Sequence, residues 1–119
     1  MKKLLLAGLL LVLAACATGQ TPAQKVYAIQ GNYNAALSIA VAYQKLPDCV
    51  EGGPTLCKKD SVVEELQRAD KVAYPVLQGA QEVVRDPGAT ATDQVVRAAE
   101  AAVRALTSIT STLQIGGAP

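Results

Sequence analysis

The chain has 119 residues, enough for one domain and not two. Half of it is apolar, yet only 3% is aromatic, with no Phe and no Trp; a palette of Ala, Leu and Val favours closely packed helices over β-sandwiches. A formal net charge of +1 with no polybasic run excludes the electrostatic footprint of a nucleic-acid binder, and the absence of His removes the commonest general base and the commonest zinc ligand together.

Met1, Lys2 and Lys3 form a short positive start, followed by an apolar run over 4–15 interrupted only by Gly8. Twelve residues are too few to cross a ~30 Å hydrocarbon core as a helix, which takes roughly 20. The length and flanks are those of the hydrophobic part of a signal peptide. The run ends Leu13-Ala14-Ala15-Cys16. This resembles the lipobox of bacterial lipoproteins: an aliphatic residue, two small residues, then a cysteine. The resemblance covers the first sixteen residues. It implies cleavage before Cys16, diacylglycerol on the Cys16 thiol and a fatty acyl chain such as palmitate on the new amino terminus. An ordinary secretory signal or a buried N-terminal helix are the alternatives, and the Lys2-Lys3 and Thr18-Gly19 brackets argue against the second. Each buried CH₂ contributes about 0.8 kcal/mol, so the two or three chains of a processed lipoprotein hold it stably at a membrane. The expected organisation is a signal peptide over 1–15, lipidated cysteine and tether over 16–21, a helical domain over 22–115 and a tail over 116–119. Ala17, in place of Asp, implies by the same resemblance transport to the outer membrane in a Gram-negative source, on its periplasmic face. Without Lys2 and Lys3, nine basic side chains remain against ten acidic ones.

Three helices are predicted in the remainder. The first opens at Thr21-Pro22, a good N-cap followed by proline at the first helical position. Its seam is Val26, Ile29, Tyr33, Ala36, Ala40 and Tyr43, in alternating steps of three and four, with Leu37 and Val41 widening it. Leu46-Pro47 stops it. The second starts at Asp60 or Ser61, with a seam of Val62, Leu66, Ala69, Ala73, Val76, Ala80 and Val83 and an outer pair Glu64–Arg68. Pro75 removes a backbone donor mid-helix, so a kink or a break is expected there; Arg85-Asp86-Pro87-Gly88 ends the segment. The third starts near Thr90 or Thr92, with a seam of Val95, Ala99, Ala102, Leu106, Ile109 and Leu113, a Glu100–Arg104 pair, and Gly116-Gly117 as its stop. The fold class is therefore all-α, a small antiparallel three-helix bundle, marginal on its core because so many seam positions are Ala. A hairpin of the first two helices, with the third free to meet a partner, is the other packing.

Cys49 and Cys57 flank a turn-rich loop between the first two helices. With Cys16 lipidated they are the only thiols left, and export to an oxidising compartment predicts a disulfide between them. Two cysteines without histidine are too few ligands for a metal site, and their spacing is longer than the C-x-x-C of redox pairs. No G-x-S-x-G turn or P-loop is present. Glu64 and Glu65 are adjacent, so on a helix they point about 100° apart and do not share a proton.

These absences predict no catalysis and no cofactor. Tyr33 and Tyr43 lie on the predicted core stripe. Tyr27 lies off it, with Gly31, Asn34 and Ser38, on a smooth face where another helix can lie, and this is the candidate interaction face. The expected function is a membrane-anchored interaction module binding an envelope protein, with self-association or a small lipid or ligand carrier as alternatives. With its Tyr/Ala-rich first helix and two-cysteine loop, the mature part is also similar to small lipoproteins of proteobacterial phages and prophages. That resemblance implies an accessory role in lysis or in exclusion of a second phage. The proline-rich character of outer-membrane spanin lipoproteins is lacking.

Overall fold

The computed structural model describes residues 20–86, 88 and 92–113. They form three helices, α1 (Pro22–Gln44), α2 (Asp60–Arg85) and α3 (Thr92–Ser111), each packed against both others as an antiparallel three-helix bundle. The predicted signal peptide, Cys16 and the tether up to residue 19 lie outside the described residues, as do Gly116 and Gly117.

α1 begins as its sequence requires. The Thr21 hydroxyl accepts from the Gln24 N–H (3.2 Å), and the Gln24 side chain accepts from the Thr21 N–H (2.9 Å), a reciprocal capping box ahead of Pro22. All six predicted seam residues of α1 are buried. The helix closes with Leu46 N–H donating to the Tyr43 carbonyl (3.1 Å), just before Pro47. α2 starts at Asp60 with no side-chain cap from Lys59. Instead the Tyr43 hydroxyl, reaching across from α1, accepts the Lys59 N–H at 2.9 Å, so a core residue of one helix satisfies an orphan donor of the next.

Of the kink or break expected at Pro75, the break does not occur, since α2 runs through it as one helix, and three other expectations are corrected. Pro75 is exposed, so water can serve the carbonyl it leaves without a donor, while packing on both sides holds the helix together. The α3 seam is Val96, Ala99, Val103, Leu106 and Thr110, one position on from the predicted Val95, Ala102 and Ile109, which flank it half-buried together with Leu113. Likewise Leu77, not Val76 or Val83, joins the predicted Ala73 and Ala80 as a buried residue in the second half of α2. Finally α3 stops at Ser111, ahead of the predicted glycines. Its last turns are rich in Ser and Thr whose hydroxyls donate back to the chain's own carbonyls: Thr107 to Val103, Thr110 to Thr107, Ser111 to Ser108 and Thr112 to Ile109. Such bonds compete with the helical ladder and weaken its continuation.

Candidate functional site

The loop over 45–59 is held by covalent and polar ties. Cys49 and Cys57 are joined as a disulfide with Cα atoms 4.9 Å apart. Cys49 N–H donates to the Lys58 carbonyl (3.1 Å) and Lys58 N–H to the Pro47 carbonyl (2.8 Å), and the Lys58 ammonium lies 3.3 Å from Asp48. At the tip, Gly53 N–H donates to the Val50 carbonyl (3.0 Å). Gly52 takes φ +73°, the left-handed region that glycine enters without strain. A Cβ on Gly53 would meet Val50 Cγ2 at 2.8 Å, so both glycines serve the turn.

Between α1 and α2, the Tyr33 hydroxyl donates to Asp70 Oδ1 at 2.7 Å. The Tyr33 and Tyr74 rings lie with centroids 6.4 Å apart, and Gln78 donates to the Tyr74 hydroxyl. Burial first, then the hydrogen bond to Asp70 and the charges of Asp70 and Tyr74, push the Tyr33 phenol up to about 12. The unfolded chain loses that proton near pH 10. The resulting stabilisation is complete below pH 10 and is lost as pH rises through 12. Tyr33→Phe is therefore expected to destabilise by about 1.5–3 kcal/mol at pH 7, the worth of a hydrogen bond to a carboxylate. Denaturant titrations at pH 8, 10 and 12 should show the gap between the two proteins narrowing over the alkaline steps.

The predicted face is on one side of α1. Tyr27, Gly31, Asn34 and Ser38 are all exposed, and at 100° per residue they fall within a narrow stripe opposite the buried seam. Val41, predicted to widen the core, is 42% exposed and continues this outer stripe instead. Its place could have been found from spacing alone, since 27, 31, 34, 38, 41 and 45 step by four and three. An open groove of about 480 Å³ runs along Asn34, Leu37, Ser38, Val41, Ala42 and Lys45. Tyr27, 80% exposed, stands at the other end.

The charge distribution sets α1 apart. Its 23 residues carry one charge, Lys25, whereas α2 carries eight charged side chains and α3 four. Of the predicted outer pairs, Glu100–Arg104 forms at 2.7 Å, and Glu64–Arg68 does not form an ion pair. Both of the latter are exposed, where ordering two long side chains costs about what the contact returns.

The remaining grooves are surface features. One between α1 and α3 holds about 140 Å³ over Ile29, Asn32, Val103 and the Glu100–Arg104 pair. Another, between α2 and α3, holds about 300 Å³ over Arg68, Val72, Ala102 and Ile109. Among the described residues no group of three or more Cys, Asp or Glu side chains is gathered to hold a metal ion, and no described helix is long and apolar enough to cross a membrane. No family model, no curated protein and no solved structure matches the chain.

Proposed function

We propose that the chain is a cell-envelope lipoprotein, held by lipid on Cys16, whose helical domain works by binding another protein and not by catalysis. The observation that carries this reading is α1. A surface helix ordinarily sets a charged face against water, yet α1 is almost free of charge and leaves Tyr27 and Val41 exposed on its outer side. Such a face is suited to a further protein contact. The lipobox-like Leu13-Ala14-Ala15-Cys16 supports the anchor, and the Cys49–Cys57 disulfide accords with an exported chain. Ala17 after the cysteine favours the outer membrane where the source is Gram-negative. The carrier reading is less favoured because the grooves lie open along the surface, whereas ligand sites bury most of their ligand.

The test is in-cell crosslinking of the protein at native level, with Cys16→Ser as the unanchored control. The proposal expects a specific envelope protein complex that is lost in the control. Turnover of an envelope substrate by the purified protein would overturn it.

A further inference from the structure

We propose that the outer stripe of α1 pairs with the same stripe of a second copy, antiparallel, about a two-fold axis at Asn34. Three observations meet here. The first is shape. The stripe carries a projection, Tyr27, 80% exposed, and a groove of about 480 Å³ centred on Leu37, Ser38 and Val41. In an antiparallel pair centred on Asn34, facing residues have numbers summing to 68. Tyr27 then lands opposite Val41 of the second copy, in its groove, and the second copy's Tyr27 fills the first groove. One helix presents both halves of the fit, as a closed two-fold interface requires.

The second observation is Gly31. It lies mid-helix and exposed, and a Cβ added there would meet nothing within 4 Å. Glycine in a helix interior is destabilising relative to alanine, and among the described residues nothing within one copy repays that. In the pair, Gly31 lies on the side of the second copy's Ser38, where the missing side chain lets the two axes approach closely. The third is charge. Lys25, the one charge on α1, projects about 160° round the helix from Tyr27. Lys45, at the end of the groove, falls opposite Ala23. No like charges face each other, and antiparallel helix dipoles attract.

The pairing deepens the interaction-module reading by naming a partner, and it draws on the anchor only for concentration. With the two-fold axis along the membrane normal, the two α1 amino ends lie about 34 Å apart at equal height. Six tether residues, 16–21, reach about 20 Å from each anchor. Confinement to one membrane raises the effective concentration, so a small interface suffices.

The test uses the full chain in cells. Ala23→Cys and Lys45→Cys chains, differently tagged, leave Tyr27, Gly31, Asn34, Ser38 and Val41 intact. Co-expressed and mildly oxidised, they should give mixed 23–45 dimers. Gly31→Arg added to both should reduce the mixed dimer at least tenfold while leaving the thermal midpoint of the domain unchanged or raised. Dimers of 23 with 23 and 45 with 45 would replace this arrangement with a parallel one, and no dimer at all would remove self-pairing; either overturns the proposal. Should the pull-down capture another envelope protein while the cysteines stay unpaired, only the self-pairing fails. Should the cysteines pair while crosslinking finds no other protein, the heterologous partner fails and the pairing stands.

Discussion

Leu106→Ala is expected to cost about 2–5 kcal/mol, the range for removing a buried leucine and leaving a partly collapsed cavity. Leu106 is 0% exposed and, with Leu66, is one of the two largest fully buried side chains. The core has few others like it. Of the fourteen buried hydrophobic residues among the described ones, five are Ala: Ala36, Ala40, Ala73, Ala80 and Ala99. Alanine contributes little buried area, so the leucines and valines carry a large share. A domain of this size has a total stability of about 5–13 kcal/mol, and Leu106→Ala removes a large part of it. Urea unfolding followed by circular dichroism should show the midpoint fall sharply, while Val72→Ala, at a position 58% exposed, should stay within about 0.5 kcal/mol of the parent. A loss under about 1 kcal/mol at Leu106 would mean that α3 does not present this face to the core.

The second large effect is loss of the Cys49–Cys57 disulfide. For a separation of eight residues, the loop-entropy relation gives about 2.5 kcal/mol, acting through the unfolded chain. The polar ties in the same loop add less: the Asp48–Lys58 pair is largely exposed at Asp48, and exposed pairs contribute at most about 1 kcal/mol. Reductant should therefore lower the denaturation midpoint of the parent. It should leave a Cys49→Ser, Cys57→Ser double variant, already weakened by a similar amount, where it was. An unchanged parent midpoint in reductant would show that the thiols are not joined.

How far the sequence was legible differs from helix to helix for physical reasons. On α1 the three–four rhythm named every buried residue, although Leu37 and Val41 widened the predicted stripe. On α3 the candidates for the seam come in neighbouring pairs, Val95-Val96, Ala102-Val103 and Ile109-Thr110, only 100° apart, and hydropathy ranks Ile109 above Thr110. The structure buries Thr110, which it can do because the hydroxyl donates to the Thr107 carbonyl at 3.0 Å. At Pro75 the helix does not break: a single missing donor on an exposed side is a small loss against packing along a 26-residue helix.

In the candidate face, Tyr27, Gly31, Asn34 and Ser38 were readable as positions off the core stripe. Val41 was not, since a β-branched apolar residue was counted towards burial, and it lies on the outer side. The Tyr33–Asp70 bond joins residues 37 apart in the chain, and no local pattern announces a contact at that separation.

The anchor at Cys16 and the contact face on α1 belong to one proposal: a domain kept within about 20 Å of a membrane by a six-residue tether and presenting a helix with a single charge to a protein there. Its most direct check is the intact mass of the protein extracted from membranes, beside a Cys16→Ser form. The expected result is a chain beginning at Cys16 and heavier than its residues by a diacylglyceryl group and an acyl chain, with Cys16→Ser recovered unlipidated in the soluble fraction. A chain found in the soluble fraction without lipid on Cys16, or still carrying residues 1–15, would contradict the proposal.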